Sequence, residues 1–336
     1  MLLFYLDKLF VKTIKMKFIL SLISLCSVLC AGNVTYADNF PTKPVRIVVG
    51  FSAGSSIDMV ARVIGAKLGE RWGQSVIIEN RTGAGSNIAV DLVMKAQADG
   101  YTLLFANNGI VISPMLYRNL SYQVLRDLKP ISQLTAMPHL LVIAPTFLAN
   151  SVTELIDFAK KNPHRVTFAS SGTGATDHMA GELFKYMAKI EIDHVPYKGG
   201  PPALADTASG QVTMYFAGLP SAMPMVTAGK LKALGVTGAR RSTTMPHVPA
   251  IAEANLSGYA VTNWYGLFAP VDTANQLVEQ VAVDVRRVLE SPDVRARFDG
   301  LGIDTVGSSP SQFADTIKLE FDVWASVIKA ADLRAE

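Results

Sequence analysis

The sequence predicts an α/β fold in which short buried strands alternate with amphipathic helices. Runs of β-branched residues such as 45–49 and 76–78 are typical of buried strands. Between them, apolar residues recur at helical spacing from Ile57 to Trp72. The chain has 336 residues, of which 49% are hydrophobic and 18% are charged. It can therefore bury a large core, which excludes a disordered chain or a small disulfide scaffold.

The first 37 residues have the features of a secretory signal peptide. A lysine-bearing start is followed by an apolar run at 18–30 and by a polar segment that ends at Ala37, after which we expect cleavage. The apolar run is shorter than the roughly 20 residues that a spanning helix needs. Two alternatives stay open: translation from Met16, and a lipoprotein modified at Cys30, which the bulky Leu29 disfavours.

The predicted mature chain has balanced charge and no cysteine. The formal net charge is +3, and the signal peptide holds four lysines and one aspartate. Its removal leaves no excess charge that would attract a nucleic acid or an anionic membrane. Cys26 and Cys30 both lie in the apolar run, which excludes thiol catalysis, thiolate metal sites and disulfides from the mature chain.

The remaining elements follow the same alternation along the chain. Strands are predicted at 45–49, 76–78, 101–105, 140–143, 166–168, 192–197, 212–217 and 231–236. Helices are predicted at 57–72, 87–97, after Ser151, at 177–189, 201–209, 221–228, after Thr273 and after Ser309.

Three of these helices begin with a pattern that fits a capping box. Ser151, Thr273 and Ser309 are each followed three residues later by Glu or Gln. Pro310 occupies the first helical position after Ser309, where proline is favoured.

Three loops share a property that favours anion binding. The loops 51–58, 83–87 and 170–176 each follow a predicted strand, are rich in small residues, and lead to a helix N-terminus. Free N–H groups and the helix dipole attract an anion there, and hydroxyl groups add donors. Small residues also form ordinary strand-to-helix turns, and the agreement of the loops makes the two interpretations about equal.

The usual enzyme motifs are missing. No phosphate-binding P-loop and no G-x-S-x-G is present, and Gly83 and Gly85 lack the third glycine of a dinucleotide motif. The five histidines show no metal-ligand spacing. We therefore expect no cofactor, no metal and no catalytic residue.

A few polar and aromatic residues are candidate pocket residues. Asp177 and His178 open a predicted helix, where a capping and polar-contact role is favoured over acid–base catalysis. Tyr197, Trp264 and Tyr265 are candidate pocket walls, and core packing is the favoured role of Trp264.

Short motifs spread over nearly the whole mature chain resemble those of one receptor family. They are Pro-Thr-Lys-Pro-Val-Arg at 41–46, Glu-Asn-Arg at 79–81, Gly-Ala-Gly at 83–85, Ala-Asp-Gly-Tyr-Thr-Leu at 98–103, Ala-Gly-Glu-Leu-Phe at 180–184, His-Val-Pro-Tyr-Lys-Gly at 194–199, Leu-Pro-Ser-Ala at 219–222 and Ala-Gly-Lys-Leu at 228–231. Together they resemble the Bug-type extracytoplasmic solute receptors, the substrate-binding components of tripartite tricarboxylate transporters.

The resemblance implies a two-lobed periplasmic binding protein, a type II Venus flytrap with doubly wound sheets and two crossovers between the lobes. Lobe 1 would be 38–139 plus 262–336, and lobe 2 would be 140–261. The ligand would be a small carboxylate gripped by 51–58 and by 170–176 from the opposite lobe, often through bridging waters. The ligand-binding residues we expect are Phe51, Ser55, Ser56, Asp58, Asn108, Ser171, Gly172, Thr173, Thr176, His178, Tyr197 and Ala217.

The chain departs from the family pattern at the expected pocket. Members commonly have F-P-P-G-G-x-x-D in the first loop, whereas Ser55 and Ser56 stand here where glycines are usual. Ala217 and Gly218 stand where many relatives have Asp-Asn, and Ser86 replaces a common glycine. The ligand identity is therefore open.

The function that the resemblance implies is capture of a small carboxylate in the periplasm by hinge closure. The receptor would act as a monomer and deliver the ligand to the membrane permease subunits of a tripartite tricarboxylate transporter. Two alternatives are a ligand-sensing partner of a membrane signalling protein and, less favoured, an exported hydrolase that uses Asp177 and His178.

Overall fold

The computed structural model describes residues 40–117, 120, 122–330 and 333. Pro41–Glu336 forms one compact unit. The predicted signal peptide, with Cys26, Cys30 and the cleavage after Ala37, lies outside the described residues. Within the described part of the chain, no helix is long and apolar enough to cross a membrane.

Ten strands and eleven α-helices alternate along the described residues. The strands are β1 (Val45–Val49), β2 (Val76–Asn80), β3 (Thr102–Asn107), β4 (Leu128–Ile143), β5 (Thr167–Ser170), β6 (Asp193–Pro196), β7 (Met214–Gly218), β8 (Lys232–Val236), β9 (Thr262–Pro270) and β10 (Asp304–Thr305). The helices are α1 (Ser56–Trp72), α2 (Asn87–Met94), α3 (Gly109–Leu116), α4 (Val124–Asp127), α5 (Val152–Lys161), α6 (Thr176–Ala188), α7 (Gly200–Ser209), α8 (Leu219–Thr227), α9 (Asn275–Glu290), α10 (Pro292–Asp299) and α11 (Pro310–Ala330). All eight strands and eight helices predicted from the sequence are present, with bounds shifted by a few residues except in β4, which begins twelve residues before the predicted strand at 140–143.

The strands form two parallel groups of the same order. β2-β1-β3 is parallel, and β6-β5-β7 is parallel with β5 in the central position of β1. In each group the chain leaves the central strand to one side and returns on the other. Such a reversal leaves a crevice at the carboxyl ends of the two strands concerned, which are β1 and β3 in one group and β5 and β7 in the other.

β4 joins the two groups into one hydrogen-bonded path. Its first part, Leu128 to Pro138, pairs with β9, and its last part, His139 to Ile143, pairs with β7 and β8. The sequence predicted only the end of this strand, because Pro130 and Pro138 argue against a strand interior. The structure accommodates Pro130 beside a register shift in the pairing with β9.

The helix starts confirm two of the three predicted caps. Ser309 and Gln312 form a full capping box, because each side chain bonds the main-chain N–H of the other residue. Ser151 accepts from the N–H of Glu154, whose carboxylate accepts from Asn150 instead of closing the box. The Thr273 prediction is wrong: the helix begins at Asn275 after Ala274, which has no side-chain cap.

An aromatic cluster forms the core between β9 and α11. Trp264 packs edge-on against Phe313 at a ring separation of 5.1 Å, and Phe268 lies 5.0 Å from the same ring. Trp264 is only 2% exposed, which confirms its expected core role. The Phe313 ring covers Gly266, where an added Cβ would come within 2.2 Å of the ring.

Gly266→Ala should therefore destabilise the protein by about 1–3 kcal/mol through overpacking. Chemical denaturation measures this free energy. Gly300→Ala is the matched control, because its Cβ would have its nearest contact at 3.4 Å and Gly300 has an ordinary helical φ of −65°. Equal stability of the two variants would contradict the packing argument.

Candidate functional site

A cavity of about 40 Å³ lies where the carboxyl ends of the four crevice strands meet. That volume accommodates a few water molecules or one end of a small ligand. Residues at the end of each strand, or just after it, contribute to the wall. They are Phe51, Ser55 and Ser56 after β1, Asn107 at the end of β3, Ser171 and Asp177 after β5, and Gly218 and Ser221 at and after the end of β7. Both topological crevices of the fold therefore open on the same space.

The N-termini of two long helices approach this cavity. α1 begins at Ser56 after the extended residue Ser55, and α6 begins at Thr176 after the extended residue Ala175. In neither case does the residue before the helix cap it with its side chain. The positive dipole ends of both helices thus face the cavity, with the first N–H groups of α1 and those of Thr176 and Asp177 in α6 available to an anion. The next N–H of α6, that of His178, donates to Asp177 Oδ1 at 2.8 Å.

Four of the expected ligand-binding residues line the cavity, namely Phe51, Ser55, Ser56 and Ser171. Ser56 Oγ lies 2.8 Å from Ser221 Oγ, a hydrogen bond between α1 and α8. Ser55 Oγ is buried and has no hydrogen-bond partner in the described protein. Its hydroxyl is therefore free to bond whatever occupies the cavity.

The other eight expected residues do not line this cavity, and most of them hold the loops around it. Asp58 is directed away from it and accepts hydrogen bonds from Gly54 N, Arg62 Nε and Asn80 Nδ2. Burial opposes ionisation of Asp58, but these hydrogen bonds outweigh it and lower the pKa of the carboxyl. Asp58 is thus ionised, and its hydrogen bonds hold the 51–58 loop in place.

Asn108 and Thr176 bond each other behind the cavity wall. Thr176 Oγ1 donates to Asn108 Oδ1, and the Asn108 amide donates to the Thr262 carbonyl at 3.0 Å. Asn107 lines the cavity in place of Asn108, because the side chains at the end of β3 alternate between faces.

Gly172 and Thr173 pack against the loop after β2. A Cβ on Gly172 would lie 3.3 Å from Gly85 Cα, and a Cβ on Gly85 would overlap the Thr173 carbonyl. That carbonyl accepts from the Tyr117 hydroxyl at 3.0 Å. The loop 83–87 therefore supports the 170–176 loop and does not line the cavity, because β2 is an edge strand away from the crevice.

The remaining three expected residues support neighbouring elements. His178 Nδ1 accepts from the N–H of Gly174 at 3.2 Å. The Tyr197 hydroxyl donates to Asp206 at 2.7 Å. Ala217 is fully buried in β7 opposite Leu140.

The sequence argument missed two polar residues of the cavity wall at β4 and β9. His139 lies in β4 at the point where this strand exchanges β9 for β7 and β8, and Asn263 lies at the start of β9. Tyr265 was a candidate wall, and its place in the cavity lining agrees with that expectation. His139 and Asn263 gave no sequence signal, because antiparallel pairing of distant segments brings them to the site.

Among the described residues that line the cavity, none is lysine or arginine. Asp177 is fully buried, and burial raises its pKa, although hydrogen bonds from Ser171 and Tyr215 oppose the shift. The Ser171 N–H and the Tyr215 hydroxyl lie 2.9 and 2.8 Å from its carboxylate. Positive potential in the cavity thus comes from N–H groups and helix dipoles and not from cationic side chains.

Comparison with protein-family models identifies the family of the chain. Residues 60–333 match the model of the tripartite tricarboxylate transporter family receptor, TctC. The chain belongs to the TctC family. Family members are solute-binding receptors, which confirms the recognition made from the motifs and the expectation that the chain is not an enzyme.

Characterised relatives of this TctC-family chain cover almost its whole length. BugT of Bordetella pertussis is 32% identical over 87% of this chain and 90% of its own. The structure titled R. palustris Rpa4515 with adipate is 35% identical, has a TM-score of 0.85, and matches 88% of this chain and 99% of its own. MatC (Rpa3494) of Rhodopseudomonas palustris, with bound malate, is 32% identical and has a TM-score of 0.83. The match covers 86% of this chain and 100% of the MatC chain.

These structures confirm the two-lobed periplasmic binding protein fold expected for a TctC-family receptor. The departures from the family pattern also have a structural basis. Ser55 has a φ of −70° and Ser56 is helical, so neither position requires glycine. Ser56 Oγ occupies the space beside Gly218, because a Cβ on Gly218 would come within 2.3 Å of it. The Ser56 hydroxyl therefore occupies space that a side chain at position 218 would need.

Buried His178 and half-buried His194 form a pair that supports the 170–176 loop. The rings of His178 and His194 lie 4.2 Å apart, and His194 Nε2 is 2.6 Å from Ser170 Oγ. Burial lowers the pKa of His178 to about 3, aided by the charges of His194 and Lys185. Burial and Lys185 lower the pKa of His194 to about 4. Both rings are therefore neutral at physiological pH.

Acid should destabilise the protein through these rings. A lowered folded-state pKa contributes stability that is present above the unfolded value of about 6.5 and is lost as pH falls toward the folded value. We expect Tm to fall between pH 7 and about pH 4.5, and to fall less in His194→Gln. Asp177 and Glu182, whose pKa values burial raises, act in the opposite direction but are present in both proteins. An identical fall in Tm in the unmodified protein and in His194→Gln would refute this role of His194.

Proposed function

We propose that the protein is a periplasmic receptor that captures a small carboxylate and delivers it to the permease subunits of a tripartite tricarboxylate transporter. The observation that supports this most is the cavity at which two helix N-termini and four serines meet without a cationic side chain among the described lining residues. This donor set suits a carboxylate, because charge-assisted hydrogen bonds to N–H and O–H groups are strong in a dry site. The adipate and malate bound by two relatives belong to the same ligand class.

The proposed grip uses groups from both lobes. Ser55, Ser56 and the first N–H groups of α1 would bind the carboxylate from lobe 1, with Phe51 as a wall. Ser171 and the start of α6 would contact the remainder of the ligand from lobe 2. The other expected residues, from Asp58 to Ala217, would hold these groups in place through the contacts described above.

Hinge closure would follow from binding in both lobes at once. Lobe 1 is proposed as 38–139 plus 262–336 and lobe 2 as 140–261. The strand pairing supports this division, since β4 exchanges β9 for β7 and β8 at Pro138 and His139. A ligand that contacts both lobes stabilises only the arrangement in which they are close, and so shifts the population toward it.

A screen of carboxylic acids tests the proposed function. The full chain would be expressed for export, purified from the periplasm, and unfolded and refolded to remove any bound ligand. A ligand at 100 times its Kd should raise the unfolding free energy by about 2.7 kcal/mol and Tm by several degrees. If neutral or cationic solutes raise Tm and no acid does, the proposal is wrong.

Ser55→Ala should weaken binding of the acid found in that screen by about 10- to 100-fold, the usual effect of one hydrogen bond to a charged group. Calorimetric titration measures the Kd. Ser209→Ala is the control, because Ser209 is exposed and bonds the main chain of its own helix. Unchanged affinity in Ser55→Ala would remove Ser55 from the site.

A disulfide across the cleft tests closure. Ser56 and Ser221 lie on opposite proposed lobes with their hydroxyl oxygens 2.8 Å apart. In a Ser56→Cys, Ser221→Cys variant, oxidation should close the cleft and slow ligand association by at least tenfold, and a reductant should restore it. Equal association rates in the oxidised and reduced forms would contradict closure at this point.

A further inference from the structure

One wall of the cavity carries polar atoms that no protein group satisfies. His139 Nδ1 and Nε2, Asn263 Oδ1 and Ser55 Oγ are buried and make no hydrogen bond within the described residues. The three residues are 4%, 2% and 5% exposed and line the cavity. Buried polar groups are normally paired, so an occupant of the cavity must supply the partners.

His139 and Asn263 lie side by side on the same face of the sheet. Asn263 in β9 pairs with Met137 in β4. His139 is two residues beyond Met137, and residues two apart in a strand point to the same face. A diagonal pair of this kind is close enough for both side chains to contact one small group.

The hydrogen-bonding capacity of the pair is mixed. Burial lowers the pKa of His139 to about 4, partly opposed by the main chain of Ala217, which lies near the ring but does not meet the geometry of a hydrogen bond. The ring is therefore neutral and carries one donor and one acceptor. The Asn263 side chain bonds the Tyr265 phenol, which lowers a pKa that burial has raised. Its Oδ1 remains as a second acceptor toward the cavity.

Different ligand groups would satisfy this pair to different degrees. A carboxylate accepts only, so it would leave both Asn263 Oδ1 and the acceptor nitrogen of His139 unpaired. An ammonium donates only, so it would leave the imidazole N–H unpaired, and its positive charge would face the positive N-termini of α1 and α6. A hydroxyl can accept from the imidazole N–H and donate its one hydrogen to Asn263 Oδ1, so it bonds both residues and leaves only the acceptor nitrogen of His139 unpaired.

We propose that His139 and Asn263 form a subsite for a hydroxyl group of the ligand, so that the receptor selects hydroxycarboxylates over the unsubstituted acids. This inference rests on the proposed carboxylate-binding function and narrows its ligand class. The carboxylate would lie at Ser55 and Ser56, and the hydroxyl would face the β4–β9 wall.

Matched diacids test the subsite. Succinate, malate and aspartate differ only in carrying hydrogen, hydroxyl or ammonium on one carbon, and adipate and 2-hydroxyadipate extend the comparison to a longer chain. Calorimetric titration of the refolded protein should give a Kd at least tenfold lower for the hydroxy acid of each set that binds. Equal or tighter binding of the unsubstituted or amino acid would overturn the subsite and leave the carboxylate function standing. Failure of every acid to bind would instead overturn the proposed function.

Two variants assign the preference to these residues. His139→Leu and Asn263→Leu should each remove the preference for the hydroxy acid, so that the Kd values of the hydroxy acid and the unsubstituted acid come to lie within threefold of each other in the same variant. His139→Gln, which keeps a donor and an acceptor, should retain part of the preference. His164→Leu is the control, because His164 is exposed and paired with Asp193. A preference that survives in both leucine variants would overturn the assignment, and their Tm values would show whether they are folded.

Discussion

The cavity depends on the continuity of β4. This strand is 16 residues long, and it is hydrogen-bonded first to β9 and then to β7 and β8. It therefore fixes the two parallel groups relative to each other, with the carboxyl ends of β1, β3, β5 and β7 around one space. A break or register slip in β4 would move the 51–58 and 170–176 loops apart and remove His139 from the wall. The position of every group in the site follows from this one strand.

The chemistry of the cavity follows from the absence of cationic side chains among its described lining residues. An arginine would hold a carboxylate strongly but would have to be desolvated in every cycle of binding and release. N–H groups at helix ends and serine hydroxyls carry no full charge, so the free energy needed to desolvate them is lower than for an arginine. The affinity of the cavity for a ligand can therefore be adjusted by adding or removing single hydroxyls. Ser55 and Ser56 are such additions. A Cβ at position 218 would overlap the Ser56 hydroxyl, so the glycine at 218 leaves room for this serine.

The sequence predicted the strand–helix units of the fold and the two loops that supply part of the cavity wall. Hydrophobic periodicity and caps such as Ser309–Gln312 located the parallel βαβ units, because these signals are local. The loops 51–58 and 170–176 were recognised because they follow strands and precede helices. The β4–β9 wall of the site comes from long-range antiparallel pairing. His139 and Asn263 are 124 positions apart and meet only through the register of β4 with β9, for which no local pattern exists. The sequence also did not indicate which side of each loop faces the cavity. For that reason Asn108 was expected in the site, whereas Asn107 lines it.

The two aspartates that follow the binding loops show how equivalent positions take different roles. Asp58 accepts from Arg62, Asn80 and a main-chain N–H, and these donors keep it ionised outside the cavity. Asp177 has only neutral donors, lines the cavity, and has a raised pKa. A ligand carboxylate beside Asp177 would raise that pKa further, since two like charges in one dry site oppose each other. The electrostatic cost is lower on the side of Ser55 and Ser56, because Asp58, which follows them, is already paired with Arg62. The same reasoning places the uncharged part of the ligand toward Asp177 and the β4–β9 wall, where groups that both donate and accept are bound best.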